Sequence, residues 1–308
     1  MQRINNDIMR GPNFFIVGAP RSGTTAMSTF LRDHPNIYIP KRKEPYYFAD
    51  DLTGLKRLDS LTRYMRLFKS TKQCHKVVCD ASVLYMYSSV AVENIHRFNP
   101  TAKILIMLRN PIDMVHSFHS HLLAIFTEEK RDFEKAWRLQ PARQQGKSLP
   151  KHCRKPALLL YSEIGKLGAQ VQRVLDIFPR DQVRVVFFDD FLRSPQLVYE
   201  EILAFLDVPS DGRIDFPIIN DNVGSYRMNW LTKLVFSPPS IVSRIEALIK
   251  RILGIEQFGL VAVIGRCFAN QERRQPLSVK FRRELAEEFR EDIQKLSRIL
   301  KRDLKNWC

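Results

Sequence analysis

The stretch NFFIVGAPRSGTTAMSTFLRD, running from Asn13 to Asp33, decides the fold. Asn13 to Val17 is a short apolar run of β-preferring residues. Gly18 to Gly23 breaks the run, and from Thr24 to about Asp33 the pattern turns helical. The order is strand, loop, helix. The spacing from Gly18 to Thr25 matches G-x-x-x-x-G-K-[ST], except that Thr24 stands at the lysine position. The physics of such a loop survives that change. Glycines let the backbone fold tightly, so successive N–H groups converge on a phosphate, and the helix N-terminus adds a favourable field. What is lost is the lysine that serves the β- and γ-phosphates of a nucleoside triphosphate. A cation remains inside the loop at Arg21, so the site reads as built for a 5′-phosphate without a triphosphate tail. The bland alternative is a glycine turn before a helix.

Three further runs extend the pattern: Lys76–Cys79, Lys103–Leu108 and Arg184–Phe188 read as strands, the second of them continuously apolar. Continuous runs suit strands covered on both faces of a parallel sheet. Helical patterns lie between, at Val90–Phe98, Pro111–Phe126, Ala157–Phe178 and Pro195–Leu206. Strands alternating with helices imply βαβ units. The expectation is an α/β, P-loop-like three-layer fold, with a central parallel β-sheet flanked by helices.

Arg109 directly follows the Lys103–Leu108 run, in the stretch Leu108-Arg109-Asn110-Pro111-Ile112-Asp113, and Ser117 follows within the next helix. Ligands of open α/β sheets bind at the carboxyl ends of strands, where a guanidinium offers a planar donor fork to phosphate. The structural alternative is a local Arg109–Asp113 bridge. A third segment, Pro40 to Phe48, carries Lys41, Arg42 and Lys43 and then Glu44, flanked by Pro45 and aromatics. A carboxylate so placed can take a proton from a hydroxyl or amine. Burial against Tyr46 and Phe48 would raise its pKa and Lys43 would lower it. The alternative is a structural glutamate beside a solvated basic patch.

Composition narrows the partners. The chain has 308 residues, 44% hydrophobic and 27% charged, an ordinary globular balance. It carries 49 Lys+Arg against 33 Asp+Glu, a formal charge of +16, which favours anionic ligands, nucleic acid or an acidic membrane face. No nucleic-acid-binding module is recognisable, so nucleic acid is not expected. Five scattered cysteines, Cys74, Cys79, Cys153, Cys267 and Cys308, show no C-x-x-C pair and fit reduced thiols. No secretory leader is expected, because Asn5, Asn6 and Asp7 interrupt an apolar region, and no stretch reaches the ~20 apolar residues of a spanning helix. The cytoplasm is the expected location.

Taken together, the Pro-Arg-Ser-Gly-Thr-Thr loop, the Lys-Glu-Pro-x-x-Phe segment and the Leu-Arg-Asn-Pro-x-Asp…Ser stretch resemble the sulfotransferases that use 3′-phosphoadenosine 5′-phosphosulfate (PAPS), in their bacterial and heparan-sulfate-type branch. The resemblance runs from about Phe14 to Trp307. The chain is expected to form a single domain over residues 1–308, and its charge and apolar patterns mark a basic surface excursion at about 130–155 and a helical C-terminal extension at about 240–308. The resemblance implies that Arg21 touches the sulfuryl group while Ser22, Gly23, Thr24 and Thr25 cradle the 5′-phosphosulfate. Arg109 and Ser117 would bind the 3′-phosphate, and Arg227, in the nearest match to the family's late glycine loop, would reach the same group. Glu44 would be the general base, assisted by Lys43. The product would be adenosine 3′,5′-bisphosphate, and no metal is required. The implied acceptor is a hydroxyl or amine of a glycan, a lipid or a small molecule, with the basic patches favouring an anionic one. Where the family often has Lys-Ser-Pro-x-Tyr after the second strand, this chain has Asp80-Ala81-Ser82-Val83-Leu84-Tyr85, without the lysine.

Competing readings stay open. A nucleotide or small-molecule kinase shares the loop but should carry the lysine that Thr24 replaces. A basic protein that binds anions or a membrane surface without transfer is another. His116, His119 and His121 read first as polar residues of a helix, with His119 as an alternative base. The excursion at 130–155, with nine Lys/Arg and two acidic residues, is a solvated loop or a lid over an anionic substrate. The stripe Ile241, Ile245, Leu248, Ile249 and Ile252, and the terminal stripe from Phe281 to Leu304, read as core-facing, with docking on a membrane surface as the alternative.

Overall fold

The computed structural model describes residues 10–55, 57–151, 153–217 and 275–307. Arg227, the stripe at 241–252 and Cys267 lie outside the described residues. The chain groups into two compact units: Met1–Val115, Ser162–Asn220 and Arg282–Cys308 form the first, His116–Tyr161 and Asp221–Phe281 the second.

The first unit holds the sheet. In chain order the elements are β1 (Phe14–Gly18), α1 (Thr24–Arg32), β2 (Ile37–Tyr38), α2 (Leu61–Arg66), β3 (Val77–Ala81), α3 (Ala91–Phe98), β4 (Lys103–Leu108) and α4 (Pro111–Ala124). After α5 (Phe133–Arg138) and α6 (Gln140–Gln144) come α7 (Tyr161–Gly165), α8 (Leu167–Ile177), β5 (Val183–Phe187), α9 (Phe188–Arg193) and α10 (Pro195–Phe205). A terminal helix spans Val279–Leu300. The strands form one five-stranded sheet in the order β2-β3-β1-β4-β5. Every pair is parallel, with Phe14 beside both Cys79 and Lys103, and Ile104 beside Val183. The α/β expectation holds.

The apolar runs become strands because both faces of the sheet are covered. Side chains alternate along β1. Phe14 and Ile16 join a core with Met27, Phe30 and Leu31 of α1 and Val198, Tyr199 and Ile202 of α10. Phe15 points the other way, its ring edge-on to Phe48 at 5.9 Å. All five residues of β1 are buried. Each such Phe or Ile contributes about 1.5–3 kcal/mol relative to exposure.

The helix expected over Ala157–Phe178 is interrupted. A 3-10 turn covers Pro156–Leu159, and α7 stops at Gly165 before α8 begins. The terminal helix explains the break. A Cβ on Gly165 would lie 2.3 Å from the Phe289 ring, so only glycine admits that ring. The Asp292 carboxylate then accepts from the Gly168 and Ala169 N–H groups at 2.6 and 2.8 Å, supplying the new helix with a cap. The terminal stripe mostly faces inward as expected: Phe281, Leu285, Phe289, Ile293, Leu296 and Leu304 are buried, while Leu300 is only half-buried. No described helix is long and apolar enough to cross a membrane.

In the second unit the basic excursion is built rather than loose. It contains α5 and α6, anchored by a buried ion pair. Arg143 donates to Glu128 at 2.7 and 2.9 Å, with both side chains at most 1% exposed. One of the nine cations is therefore internal.

Candidate active site

The site grows from the carboxyl ends of β1, β3 and β4. At the end of β1 the register against β4 shifts between Ile16 and Gly18, and the chain leaves the sheet. The Ala19 N–H still donates to the Met107 carbonyl at 2.7 Å, which pins the start of the loop. Ser22 is fully buried and donates to the Pro20 carbonyl at 3.3 Å, closing the loop on itself. Arg21 and Gly23 have φ of 59° and 85°. Gly23 caps α1 in the left-handed region, and a Cβ there would meet the Phe188 ring at 2.9 Å. Both facts demand glycine. The first turn of α1 has no acidic residue and no side-chain cap. Its N–H groups and the positive end of its dipole are the chemistry an anion needs. Thr24 is buried and Thr25 half-buried.

Two cations from distant segments meet this loop. Lys43 donates from Nζ to the Thr25 Oγ1 at 3.1 Å. Arg109, at the end of β4, donates to the Arg21 carbonyl at 3.1 Å and lies over the Phe188 ring, 4.8 Å from its centroid. Burial lowers the Arg109 pKa from its ordinary value, Asp113 and Asp189 oppose that, and the charge of Arg21 adds to it. The local Arg109–Asp113 bridge weighed from sequence is not the pairing formed: Asp113 takes Arg282 of the terminal helix at 2.8 Å. Ser117 is buried on α4 and belongs to the second unit.

Glu44 sits in a turn bound to the end of β3. Its N–H donates to the Ala81 carbonyl at 3.2 Å, and the Tyr46 N–H donates to the Ser82 Oγ at 3.4 Å. Glu44 and Tyr46 both have positive φ, 57° and 50°. Such a conformation costs a non-glycine residue about 1–2 kcal/mol, so neighbours must hold it. The Tyr46 hydroxyl donates to Glu44 Oε2 at 2.7 Å. Burial, then the charge and hydrogen bond of Glu44, raises the Tyr46 pKa well above its usual value, so it remains a donor.

Beneath this turn lies a group that the sequence reading passed over. Asp80 is fully buried at the end of β3 and accepts from Ser82, Tyr64 and Tyr85 at 2.7, 2.8 and 2.9 Å. Burial pushes its pKa up to about 6, against the lowering by those three hydroxyls, and Glu44 adds to the rise. The signal in the sequence was an acidic residue inside an apolar strand, Val77 to Ala81. Such a residue must find donors.

The histidines belong to the second unit. His119 is buried, bonds the Lys130 carbonyl at 2.7 Å and packs on Phe133 and Tyr161. Its pKa is lowered by burial. His116 stacks on Phe133. Among the described residues no three of His, Cys, Asp or Glu converge as metal ligands would.

A tight loop leads from β1 into α1 at the head of a parallel sheet, with three cations and a carboxylate around it. The comparisons place it further. The sulfotransferase domain matches residues 11–239, and the chain belongs to that family. Among its relatives, carbohydrate sulfotransferase 15 of Rattus norvegicus is 26% identical over 147 residues, covering 34% of this chain and 26% of that protein. Bifunctional heparan sulfate N-deacetylase/N-sulfotransferase 1 of Caenorhabditis elegans is 26% identical over 202 residues, covering 64% and 22%. The chain thus spans about a quarter of the length of these curated relatives. A crystal structure of a sulfotransferase from Alicyclobacillus acidocaldarius superposes with a TM-score of 0.70 at 27% identity, covering 97% of this chain and 99% of that one.

Proposed function

We propose that the chain, taken over residues 1–308 as one transferase domain, moves a sulfuryl group from PAPS to a hydroxyl or amine. The observation that carries this is the meeting of the α1 N-terminus, Lys43, Arg109 and Glu44 at one end of the sheet. A donor with both a 5′- and a 3′-phosphate needs anion sites but no triphosphate clamp. The residues fit it: the first turn of α1 carries no acidic residue, and Gly23 keeps the backbone close. PAPS supplies the activated sulfuryl group and a bisphosphate leaving group. Arg21, Ser22, Thr24 and Thr25 hold the 5′ side and Arg109 the 3′-phosphate.

Glu44 takes the proton of the acceptor as its oxygen or nitrogen bonds to sulfur. The bond from sulfur to the 5′-phosphate oxygen breaks, and adenosine 3′,5′-bisphosphate leaves. Arg21, Lys43 and the loop N–H groups stabilise the charge that develops on those oxygens. Removing one donor of this kind typically costs about 2.7–4 kcal/mol in the transition state. The acceptor is an anionic glycan: the names of the relatives support a carbohydrate, and Lys41–Lys43 supply positive charge beside Glu44.

The test is calorimetry with adenosine 3′,5′-bisphosphate, without metal, beside ATP with Mg²⁺. It is followed by transfer of labelled sulfuryl from PAPS to a glucuronate-rich polysaccharide, a glycolipid and a phenol. Bisphosphate binding with polysaccharide labelling that Glu44→Gln abolishes, while binding persists, is the expected result. ATP preferred over the bisphosphate would overturn the reading in favour of a kinase. Undiminished turnover in Glu44→Gln would remove the base, and labelling of the glycolipid or phenol alone would remove the anionic-glycan acceptor.

A further inference from the structure

We infer that Asp80 is a positioning residue for Glu44, acting through Ser82, Tyr85 and Tyr46, and that its protonation state governs whether the Glu44 carboxylate is held for proton transfer. The inference rests on the role of Glu44 proposed above. Two routes connect the carboxylates. Along the first, Ser82 Oγ donates to Asp80 Oδ1 at 2.7 Å and accepts from the Tyr46 N–H at 3.4 Å. Along the second, the Tyr85 hydroxyl donates to Asp80 at 2.9 Å and the Tyr85 ring stands edge-on to the Tyr46 ring, with centroids 6.3 Å apart. Both end on Tyr46, whose hydroxyl holds Glu44 Oε2 at 2.7 Å.

The chemistry of the cluster makes it two-state. An ionised carboxylate only accepts, so Asp80 can take all three hydroxyl protons of Ser82, Tyr64 and Tyr85. Protonation adds a fourth donor, and the hydroxyl whose oxygen accepts it can no longer give its own proton to that carboxyl oxygen. One hydroxyl must then turn away, and each is buried. If Ser82 or Tyr85 turns, Tyr46 loses a support. The turn it supports has two left-handed non-glycine residues, so it depends on its surroundings. The titratable groups that face Asp80 are Tyr64 from α2, Tyr85 and Cys79 from the β3 region, and Tyr46 and Glu44 from the turn. Burial, first of all, holds the three tyrosines and Cys79 neutral well above neutral pH. Burial moves the charge change of Asp80 into the mildly acidic range, placing its pKa at about 6.

The experiment has two arms. In the first, carboxyl-¹³C NMR of the full chain, without donor or acceptor, follows Asp80 and Glu44 against pH. The Glu44 signal is expected to step at the Asp80 midpoint. In Tyr46→Phe that step disappears while Asp80 still titrates. In the second, kcat and KM are measured with the best acceptor of the panel above. Asp80→Asn, whose amide is a permanent donor, should lower kcat at least tenfold at pH 8 and remove the acid limb near pH 6. Its KM for PAPS and its affinity for the bisphosphate should stay within twofold. Ser82→Ala should lower kcat in the same sense, and it serves if Asp80→Asn does not fold. A Glu44 signal indifferent to Asp80, a step that survives in Tyr46→Phe, or wild-type kcat and pH profile in both Asp80→Asn and Ser82→Ala would each overturn the inference. Should the wild type transfer no sulfuryl group, the function proposed above fails, and the NMR arm still decides the coupling.

Discussion

Replacing Glu128 by Gln should destabilise the second unit far more than loss of a surface ion pair would. Glu128 accepts five hydrogen bonds: two from Arg143, one from Tyr161, and one each from the Glu129 and Lys130 N–H groups, at 2.7–2.9 Å. Burial alone would raise its pKa, but Arg143, the Lys130 N–H and Tyr161 outweigh that and hold it below the ordinary value. With Gln in place the Arg143 guanidinium keeps its proton at any working pH and stays buried without a counter-charge. Breaking a buried pair in this way costs about 3–5 kcal/mol, against roughly 0–1 for an exposed pair. That corresponds to a fall in Tm of about 6–20 °C, at ~2–4 °C per kcal/mol. The assay is urea denaturation at pH 5 and pH 8, with Arg143→Met beside it. In Arg143→Met the orphaned group is the carboxylate, which burial pushes upward until it protonates. Its cost should therefore shrink between pH 8 and pH 5, while the cost of Glu128→Gln stays level. The wild type adds no slope from this group in that window. Its folded pKa lies below the ordinary 4.5, so its contribution is lost only at more acidic pH. A cost below about 1 kcal/mol for Glu128→Gln, or a pH-independent cost for Arg143→Met, refutes the reasoning.

Three more outcomes are expected. Gly23→Ala places a Cβ 2.9 Å from Phe188 at φ 85°, so denaturation should show a loss of about 2–5 kcal/mol and calorimetry a loss of bisphosphate binding; wild-type stability would contradict the geometry of the loop. Arg109→Ala should weaken bisphosphate binding about 10–150-fold, the worth of one charge-assisted hydrogen bond, and an unchanged affinity would take Arg109 out of the site. Asp80→Asn should gain on the wild type as pH rises. The folded pKa of Asp80, about 6, lies above the unfolded 3.8, so its favourable contribution is complete below the unfolded value and is gone once pH passes 6. Between pH 4 and pH 7.5 the difference between the two proteins should move by about 2–3 kcal/mol toward the variant, and a flat difference in urea melts would deny the shift.

The pattern of apolar runs was enough to read β1, β3, β4 and β5, because a strand covered on both faces must be apolar throughout. It was not enough for β2, whose two residues carry no period. Nor did it show the division of the helix expected over Ala157–Phe178, since that break answers to Phe289 and Asp292, more than a hundred residues away. The excursion at 130–155 read as solvated because nine of its residues are cationic. One of them, Arg143, is paired inside, and nothing local distinguishes it from its neighbours.

The sequence alone determined the tight loop into α1, from the spacing of Gly18, Gly23 and Thr25, because a tight turn into a helix N-terminus is a local matter of backbone conformation. It also named Arg109 and Glu44, from their places after a strand and beside a proline. Only the tertiary structure decided what meets the loop. Thr24 leaves it without the lysine of its motif, and Lys43, from a different segment, reaches Thr25. The same is true of Asp80, whose three hydroxyl partners come from α2 and from beyond β3, and which lies under the turn that carries Glu44. Hydrogen bonds of this kind depend on positions within a few ångströms between residues far apart in the chain, and no period or spacing in the sequence encodes such distances.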